Sequence, residues 1–493
     1  MYILRLKEIL SFIPFIAGSI NTDMEINEIE MDSRKVKPGD LFVCINGFTV
    51  DGHDYVDEAI NRGAVCIVAE KNMDVSVPVL VVSDTVRFLG MSAAKYYGFP
   101  THQVPLIGVT GTNGKTTVTY LLESIFNHNK QKTGVIGTIQ MKIGQDAFPV
   151  NNTTPDALFL QKTIKSMINY GVDKVIMEVS SHALDLGRVY GCDFDVAIFT
   201  NLSQDHLDYH DSMEDYLRAK SLLFAQLGNR YEEKHPKFAI INVDDSSSGL
   251  LQRSTAQHVI TYGCENEAHI RAENIKLDAT GTSFILITPV GKVPIKSKLI
   301  GKFNVYNMLA ASAASIALQI PLSVIKHAFE HIPGVNGRFQ PVKANHSYSV
   351  IVDYAHTPDS LENVLQTIHE LAENKIYVVV GCGGDRDKTK RPLMAQIALT
   401  YADYAIFTSD NPRTEDPHVI LKDMTDGLSD DQTNYEVIVD RKQAIHHAIN
   451  LAQEKDVILI AGKGHETYQQ IGHKKYDFDD RKVALKAMET KEK

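Results

Sequence analysis

The fold is decided by residues 106–117, LIGVTGTNGKTT, in which an apolar run is followed by glycines, a lysine and two threonines. The run LIGVT predicts a buried β-strand, and the VTYLL that follows the quoted stretch begins a helical pattern. A glycine-rich turn between a strand and a helix presents backbone N–H groups and a helix N-terminus to an anion. The order of strand, loop and helix therefore predicts a phosphate-binding loop.

Lys115 and Thr116 give this loop its chemical character. In such a motif the lysine brings a positive charge to the outer phosphates, and the threonine hydroxyl binds Mg²⁺. The usual G-x-x-x-x-G-K-[ST] spacing would need glycine at position 109, where the chain has Val109. An ordinary glycine-rich turn with a solvated lysine is the alternative. The context favours ATP, bound by Gly111, Thr112, Asn113, Gly114, Lys115, Thr116 and Thr117.

Composition limits the functions that the rest of the chain can serve. The 493 residues are enough for about three domains of about 150 residues each. The formal net charge of −11 argues against a nucleic-acid partner, because binding along a phosphate backbone needs an extended basic surface. The five cysteines show no C-x-x-C spacing, which disfavours disulfides or a zinc cluster and indicates a reducing cytoplasm.

Residues 9–20 form an apolar run after Arg5 and Lys7 and so partly resemble a signal peptide. Glu8 interrupts the basic region, and we therefore predict a first amphipathic helix rather than a cleaved leader. No later apolar run reaches the length of about 20 residues that a membrane-spanning helix needs. We expect a cytoplasmic protein without membrane insertion.

Two breaks that contain Pro and Gly, at residues 99–105 and 332–337, predict linkers, and the second follows an alanine-rich helix predicted at 307–319. Short β-rich runs alternate with helix-length segments, which predicts an α/β protein with parallel sheets buried on both faces. The runs include LIGVT, KVIMEV, DVAIFT and FAIIN, and later YSVIVD, KIYVVV, YAIFT and DVILIA. The predicted domains are residues 1–102, 103–337 and 338–493.

Polar residues directly after these strands are candidate ligands, because open α/β sheets bind ligands at the carboxyl ends of their strands. Glu178 ends the run KVIME and is suited to hold Mg²⁺ opposite Thr116. A buried hydrogen-bonded glutamate or a helix cap is the alternative. The next strand leads into NLSQDHLD, where Asp205 or His206 is a candidate ligand for a second metal. A lone histidine is more often structural, so this signal is weak by itself.

Lys220 lies on the apolar face of a helix predicted at Asp215–Leu227, three residues from both Leu217 and Leu223. Spacing alone favours a snorkelling lysine, whose stem packs while its amine reaches water. The alternative is a buried amine whose lowered pKa makes it reactive.

Many short motifs, taken in order, resemble those of the Mur ligases. They run from DSRKVKPGDLF to DNPRTEDP, so the resemblance covers essentially the whole chain. It implies an N-terminal domain for a UDP-linked substrate, a central P-loop ATPase domain and a C-terminal Rossmann-like domain. It also implies a step of peptidoglycan synthesis in which ATP activates a carboxylate as an acyl phosphate and an amine then forms the amide. The other motifs are TGTNGKTT, EVSSH, NLSQDHLDYH, YLRAKSLLF, GKFNVYNMLAA, GRF, VDYAHTPDSL and GDRDKTKR.

The resemblance also implies roles for single residues. Lys115, His206 and Lys220 match catalytic positions of the family. Thr116 and Glu178 resemble ligands of one Mg²⁺, and His206 with a CO₂-carbamylated Lys220 resembles a second-metal pair. A carbamate turns the lysine into a carboxylate-like anion, which reverses the preference for a snorkelling lysine. The further contacts implied for the nucleotide are Asn304, Arg338, Asp353 and His356.

The implied site for a UDP-N-acetylmuramoyl-dipeptide consists of Ser33, Asn152, Thr153, Thr154, Ser180 and Arg188. Family members often carry glutamine where this chain has Leu186, which puts one substrate hydrogen bond in doubt. Arg188 is still suited to pair with a carboxylate or a phosphate.

In the family, the DNPR of residues 410–413 accompanies meso-diaminopimelate, whereas lysine-adding members lack the arginine. A guanidinium grips the second carboxylate of diaminopimelate bidentately and would repel the ammonium of lysine. Glu466 is expected to pair with the distal ammonium. Without the resemblance, an Asn-Pro turn with a solvated arginine would be the preferred interpretation. The implied pocket is Arg386, Asp410, Asn411, Pro412, Arg413, Gly462 and Glu466.

Other functions stay open on these residues. The same ligase with L-lysine is one alternative, and a folylpolyglutamate synthetase-like ligase, which normally lacks the N-terminal uridine-binding part, is another. A P-loop kinase or a nucleotide-gated binding protein would have no use for a diamino-acid pocket. The expected partners are therefore small molecules, and a monomer is expected.

Overall fold

A computed structural model of the chain describes residues 4–11, 21–47, 50–150, 152–233, 235–344, 346–429 and 431–491. The chain forms two compact units. The first comprises Met1–Gly108, Gln131–Ala197 and Leu222–Lys237, and the second comprises Val109–Lys130, Ile198–Ser221 and Phe238–Lys493. The division into three domains at residues 102 and 337 stays a prediction.

Strands and helices alternate along most of the described chain. The strands are β1 (Leu4–Arg5), β2 (Glu25–Ile26), β3 (Ile29–Glu30), β4 (Leu41–Val43), β5 (Cys66–Ala69), β6 (Val79–Val81), β7 (Leu106–Thr110), β8 (Thr133–Ile136), β9 (Met141–Ile143), β10 (Asp146–Phe148), β11 (Lys174–Glu178), β12 (Val196–Phe199), β13 (Phe238–Asn242), β14 (His258–Gly263), β15 (Ile270–Asp278), β16 (Gly281–Thr288), β17 (Gly291–Ser297), β18 (Gln340–Pro341), β19 (Ser349–Asp353), β20 (Ile376–Val380), β21 (Tyr404–Phe407), β22 (Tyr435–Val437), β23 (Val457–Ala461), β24 (Tyr468–Ile471) and β25 (Lys474–Asp477).

The α-helices are α1 (Leu6–Ile9), α2 (Val56–Arg62), α3 (Thr85–Tyr96), α4 (Lys115–His128), α5 (Ala157–Asn169), α6 (Ser181–Asp185), α7 (Met213–Ala225), α8 (Ser248–Arg253), α9 (Lys302–Ala317), α10 (Leu322–His331), α11 (Pro358–Leu371), α12 (Lys390–Tyr401), α13 (Pro417–Thr425), α14 (Arg441–Leu451) and α15 (Asp480–Lys491).

The first unit contains a four-stranded parallel sheet with the order β3-β4-β5-β6. Its strands are short and apolar, as in β5, where all four residues are buried. Helix α3 packs Phe88, Leu89 and Ala93 into the core of this sheet. Elsewhere in the unit, β8 pairs in parallel with β11, while β8 with β9 and β9 with β10 pair antiparallel.

The second unit contains a six-stranded sheet with the order β18-β19-β23-β20-β21-β22. Neighbours from β19 to β22 are parallel, and β18 is an antiparallel edge strand. Successive residues point to opposite faces: Val350 and Val352 of β19 join one core cluster, and Ile351 joins the other. Helices α11, α12 and α13 cover the Ile351 face, and α14 and α15 cover the opposite face. This doubly covered sheet confirms the Rossmann-like prediction.

Strands β13 to β17 of the second unit depart from the purely parallel arrangement that the sequence predicted. The pairs β13–β14 and β14–β15 are parallel, but β15–β16 and β16–β17 are antiparallel. Strand β15 reads IRAENIKLD, and its polar residues interrupt the continuous apolar pattern on which the buried strands were predicted. Antiparallel strands with one solvated face do not show that pattern.

The predicted helices are present with shifted ends. Helix α7 spans Met213–Ala225 where Asp215–Leu227 was predicted, and α9 begins at Lys302 where the alanine-rich run suggested 307. In the N-terminal apolar run, α1 ends at Ile9, and residues 12–20 lie outside the described part of the chain. All five cysteines are free thiols, as expected. Within the described ranges, no helix combines the length and apolarity needed to cross a membrane.

Candidate active site

The phosphate loop connects the end of β7 to the start of α4, as predicted. Gly114 has a φ of +88°, and a Cβ atom there would lie 2.5 Å from Asn307 Oδ1 on α9. Both the left-handed backbone and the close approach of α9 therefore require glycine at this position. The loop is built for glycine even though Val109 breaks the usual spacing.

Residues after β12 brace the loop from outside. The Asn113 N–H donates to Asn201 Oδ1 at 2.9 Å, and the Thr112 N–H donates to the Asn201 carbonyl at 2.8 Å. The Thr200 hydroxyl donates to the Asn113 carbonyl at 2.6 Å. Thr200 and Asn201 were not singled out from the sequence, although residues that directly follow a buried strand are candidates for a binding site.

Lys115 folds back onto the loop. Its Nζ atom donates to the carbonyls of Gly111 and Thr112, each at 2.9 Å. Thr116 is buried at 3% exposure, and its hydroxyl accepts a hydrogen bond from Arg338 Nη2 at 3.3 Å. Lys115 and Arg338, two cations predicted to contact the nucleotide, therefore both lie at the phosphate loop.

Lys220 is buried, at 1% exposure, on α7, which excludes the snorkelling interpretation. Its Nζ atom lies 4.2 Å from the ring centroid of Tyr216, and the Tyr216 hydroxyl is 3.2 Å from Thr112 Oγ1 in the phosphate loop. Burial lowers the pKa of Lys220 well below its usual value, and the charge of Lys115 lowers it further against the attraction of Asp205. Burial and the charge of Lys115 therefore both favour the neutral amine over the ammonium.

Asp205 joins the central part of the chain to the C-terminal part. Its carboxylate is 3.3 Å from Lys390 Nζ, 3.3 Å from His206 Nε2 and 3.7 Å from His356 Nε2. Burial raises the pKa of Asp205, but these neighbouring cationic groups outweigh that effect and hold the pKa well below its usual value. The sequence named Asp205 only as a possible metal ligand and did not single out Lys390, whose partner is 185 residues away.

Two other residues predicted to contact the nucleotide, Asn304 and Asp353, lie in the second unit. Asn307 Nδ2 donates to Asn304 Oδ1 at 3.2 Å, which links Asn304 to the residue that packs on Gly114. Asp353 ends β19, and its carboxylate accepts the Phe339 N–H at 2.5 Å, next to Arg338. Burial raises the pKa of Asp353 despite the opposing charge of Arg338.

The first unit gathers four of the residues predicted for the UDP-linked substrate. The Thr154 hydroxyl donates to the Glu178 carbonyl at 2.8 Å and accepts the Ser180 N–H at 3.1 Å, while Arg188 Nη1 donates to the Thr154 carbonyl at 3.1 Å. Thr153 joins them through Thr138, whose hydroxyl is 3.0 Å from that of Thr153.

The other two predicted residues of this substrate site are Ser33 and Asn152. The Ser33 hydroxyl donates to Glu58 Oε2 at 2.7 Å, within the four-stranded sheet region. Asn152 is exposed.

Glu178 is buried, and its carboxylate accepts both the N–H and the hydroxyl of Thr138, at 3.0 and 2.9 Å. The predicted metal ligand Glu178 thus belongs to the first unit, whereas Thr116, His206 and Lys220 belong to the second.

A second polar group, which we call the strand-end cluster, follows the carboxyl ends of β20, β21 and β23. In it, the buried Lys463 Nζ donates to Asn411 Oδ1 at 3.0 Å and to Glu466 Oε2 at 2.9 Å. A Cβ atom on Gly462, whose φ is +113°, would lie 2.7 Å from Asp410 Oδ2, so this position needs glycine. The structure brings together most of the predicted pocket and adds Lys463. The members of the cluster are Arg386, Asp410, Asn411, Pro412, Arg413, Gly462, Lys463 and Glu466.

Arg413 and Arg386 bring positive charge to this cluster. Arg413 has a φ of +51°, and its Nη1 atom donates to the Gly384 carbonyl at 2.6 Å. Its backbone N–H donates to the Gln470 carbonyl at 3.1 Å, which ties the DNPR turn to the β24–β25 hairpin. Arg386 is exposed, and its Nη1 atom donates to the Asp385 carbonyl at 2.9 Å. The DNPR turn is therefore held in place by the hydrogen bonds of Arg413 to Gly384 and Gln470.

Sequence profiles of one family match most of the chain. The Mur ligase middle domain matches residues 109–315, the Mur ligase glutamate ligase domain matches 337–464, and the Mur ligase family catalytic domain matches 25–97. The chain belongs to the Mur ligase family. As a Mur ligase it is an ATP-dependent enzyme that forms amide bonds, which confirms the ATP predicted from the phosphate loop and the ligase activity implied by the resemblance.

Two proteins that match this Mur ligase over nearly its whole length carry the name of the same ligase. This Mur ligase is 62% identical over 492 residues to the UDP-N-acetylmuramoyl-L-alanyl-D-glutamate–2,6-diaminopimelate ligase of Oceanobacillus iheyensis, with 99% of this chain and 100% of the relative covered. A solved structure of a ligase with the same name is 32% identical, covers 100% of both chains and has a TM-score of 0.71.

The folylpolyglutamate synthase of Mycobacterium tuberculosis, solved with ADP and AMPPCP, is 16% identical with a TM-score of 0.64. The match covers 76% of this Mur ligase and 92% of the synthase, and it is a likeness of fold.

The residues of this Mur ligase suit a divalent metal through mixed ligands. No group of three His, Cys, Asp or Glu side chains in the described ranges is arranged to hold a metal ion. The predicted set differs in kind, because it includes the hydroxyl of Thr116 and a carbamylated Lys220, and it stays a prediction. The burial of Lys220 and the nearby charge of Lys115 favour the neutral amine from which a carbamate forms.

Proposed function

We propose that this Mur ligase adds meso-2,6-diaminopimelate to UDP-N-acetylmuramoyl-L-alanyl-D-glutamate, at the expense of ATP, in the synthesis of peptidoglycan precursors. The observation that carries the proposal is the strand-end cluster, in which Arg413, Arg386 and Glu466 provide partners for a second carboxylate and its ammonium. The name and 62% identity of the Oceanobacillus iheyensis relative support the same substrates.

The chemistry follows from the low reactivity of carboxylates toward amines. The γ-phosphoryl group of ATP passes to a free carboxylate of the dipeptide substrate, which gives an acyl phosphate and ADP. The amine of diaminopimelate attacks the acyl carbon, and the tetrahedral intermediate releases phosphate, loses a proton and leaves the amide. Lys115 and the loop N–H groups are suited to offset the charge of the transferring phosphoryl group.

Lys220 is proposed to carry a carbamate. Its neutral amine attacks the carbon of CO₂, an N–C bond forms, and a proton leaves, so that a buried amine becomes an anion. Burial and the neighbouring Lys115 disfavour a second ammonium at this position, and an anion there relieves the repulsion. As the resemblance implies, Thr116 and Glu178 would hold one Mg²⁺, and His206 with the carbamate would hold a second metal, whose charge would lower the energy of phosphoryl transfer.

The dipeptide substrate is proposed to bind the first unit. The hydroxyls of Thr154 and Ser180 and the guanidinium of Arg188 form a compact set of donors there, and Ser33 would contact the uridine part. Asn152 and Thr153 are proposed to complete the site. Since all substrates are small molecules of cytoplasmic metabolism, we propose a cytoplasmic enzyme that works as a monomer.

An amino-acid competition assay tests the proposed acceptor. Enzyme, ATP and UDP-N-acetylmuramoyl-L-alanyl-D-glutamate are incubated with meso-diaminopimelate and L-lysine together, and the amide products are separated by mass. We expect the diaminopimelate product to dominate. A dominant lysine product would move the chain to the lysine-adding branch, and glutamate addition to a folate acceptor would move it to the folylpolyglutamate synthetases.

A further inference from the structure

Lys463 is the member of the strand-end cluster that the sequence did not single out. Its side chain has 0% exposure, yet its Nζ atom donates to both Asn411 and Glu466. Asn411 Nδ2 donates to the same Glu466 oxygen at 2.8 Å. The ammonium, the amide and the carboxylate therefore form a closed triangle of hydrogen bonds, made by residues 52 and 55 positions apart.

A buried ammonium is unfavourable unless acceptors and opposite charge surround it. Glu466 provides one negative charge, and Asp410 provides a second. Burial raises the pKa of Asp410, but the charges of Lys463 and Arg441 outweigh that effect and hold the pKa below its usual value. Arg441 also forms a fully buried ion pair with Asp480 at 2.7 Å. Lys463 is therefore the cation that hydrogen-bonds to Glu466 and at the same time offsets the charge of Asp410.

We propose that Lys463 is a positioning residue for the amino-acid substrate, fixing the Asn411 amide and the Glu466 carboxylate as one acceptor set before that substrate binds. This inference rests on the proposed function, which places diaminopimelate in the strand-end cluster. Lys463 acts through its two partners and does not itself contact the substrate.

Without the ammonium, two things change together. Glu466 and Asn411 lose their common partner, so their side chains must be ordered when the substrate binds. In addition, the carboxylates of the buried Asp410 and the half-buried Glu466 repel each other more strongly once the Lys463 ammonium is gone. Both effects weaken binding of the diamino acid and leave the phosphate loop untouched.

The test replaces Lys463 by residues of similar length without charge, Lys463→Met and Lys463→Gln, in the full-length enzyme. Lys475→Met is the matched control, because Lys475 is exposed and its Nζ lies 4.1 Å from the centroid of the Tyr468 ring, which Lys463 also approaches at 5.4 Å. For each protein we measure the KM values for meso-diaminopimelate, ATP and the UDP-dipeptide, together with kcat and Tm.

The expected result is a KM for meso-diaminopimelate raised about tenfold to a hundredfold in both Lys463 variants, which corresponds to about 1.4–2.8 kcal/mol. The KM values for ATP and the UDP-dipeptide should stay within about threefold, as should all values for Lys475→Met. An unchanged KM for diaminopimelate in a folded Lys463 variant overturns the proposal. An equal rise of all three KM values with a lowered Tm overturns it too, because that pattern indicates a purely structural role.

A wild-type measurement keeps the proposal testable if neither variant folds. In protein labelled with ¹⁵N-lysine, the Lys463 ammonium resonance should shift when meso-diaminopimelate is added and not when AMPPCP is added. No shift with diaminopimelate contradicts the proposal. Failure of the proposed function looks different, since wild-type enzyme would then make no amide from diaminopimelate at all.

Discussion

The phosphate loop and the strand-end cluster both lie at the carboxyl ends of parallel strands, but they are held by different forces. Around the phosphate loop, most contacts are made by backbone groups and neutral side chains, as in the bonds of Asn201 and Thr200 to Asn113. In the strand-end cluster, charged and polar side chains far apart in sequence hold one another, as Lys463 holds Asn411 across 52 residues.

This difference shows what each region has to do. A phosphate loop binds the same triphosphate in many enzymes, and backbone N–H groups are sufficient for it. A pocket that distinguishes diaminopimelate from lysine needs charges fixed in relative position, and charges inside a protein must be balanced. Substitutions should therefore separate the two regions by substrate.

Lys220→Ala should have the largest effect, since it removes the proposed carbamate on the phosphate-loop side. We expect amide formation to fall about a thousandfold, in the range seen when a charge-stabilising group is lost. Short carboxylic acids such as formate should restore part of it by entering the space left by the side chain. Arg218→Ala, on the exposed side of the same helix, is the control. Near wild-type rates in unrescued Lys220→Ala would exclude the role.

Gly114→Ala should come next, because it strains the loop and drives a methyl group toward Asn307. Backbone strain of about 1–3 kcal/mol adds to the close contact, so we expect the KM for ATP to rise about a hundredfold with little change in the KM for diaminopimelate. The control is Gly171→Ala, whose φ of +72° gives comparable strain in open space. Equal effects on both substrates would show that the two regions are not separable.

Arg413→Ala tests the strand-end cluster and should change the KM for diaminopimelate rather than the KM for ATP. Loss of a charged hydrogen-bonding partner is worth about 1.5–3 kcal/mol, so the KM for meso-diaminopimelate should rise about tenfold to a hundredfold while the KM for ATP stays constant. Steady-state kinetics with each substrate varied in turn gives the answer, and Arg253→Ala, an exposed arginine, serves as control. An unaltered KM for diaminopimelate would remove Arg413 from the pocket.

Glu415 should give the smallest effect on activity and a clear effect of pH on stability. Hydrogen bonds from the buried Arg391 lower the pKa of Glu415 to about 2, from an ordinary value of 4.5. A carboxylate with a lowered pKa in the folded state stabilises it fully above pH 4.5, and this stabilisation is lost as the pH falls toward 2.

Denaturant unfolding of wild type and Glu415→Gln between pH 3 and pH 7 measures this contribution. The wild type should lose about 1–3 kcal/mol more than the variant over that range. Glu415 also accepts the Asp385 N–H at 2.5 Å, so its carboxylate holds two segments together as long as it stays ionised. Parallel pH profiles for the two proteins would contradict the assignment.

The sequence revealed the phosphate loop well, because strand, glycines and helix are adjacent and their pattern is local. The apolar runs of the Rossmann-like domain were also predicted closely, since strands buried on both faces have continuous apolar sequences. The burial of Lys220 was left open by its spacing, and only the resemblance favoured it. Lys390 went unnoticed because its partner Asp205 lies 185 residues away. Lys463 went unnoticed although Glu466 is three residues away, because its contact with Asn411 spans 52 residues.

The antiparallel strands β15–β17 were missed for a related reason. Their polar residues hide the strand pattern, and pairing between strands is decided by neighbours in space. Local chemistry can thus be predicted from sequence, while the balance of buried charges emerges only when the chain is folded.

In the proposed reaction, phosphate release is coupled to amide formation with a diamino acid. We would measure phosphate and amide product together, with ATP and UDP-N-acetylmuramoyl-L-alanyl-D-glutamate present and meso-diaminopimelate added or omitted. We expect one phosphate for each amide, with little release before diaminopimelate is added. Sustained ATP turnover without amide product would contradict it.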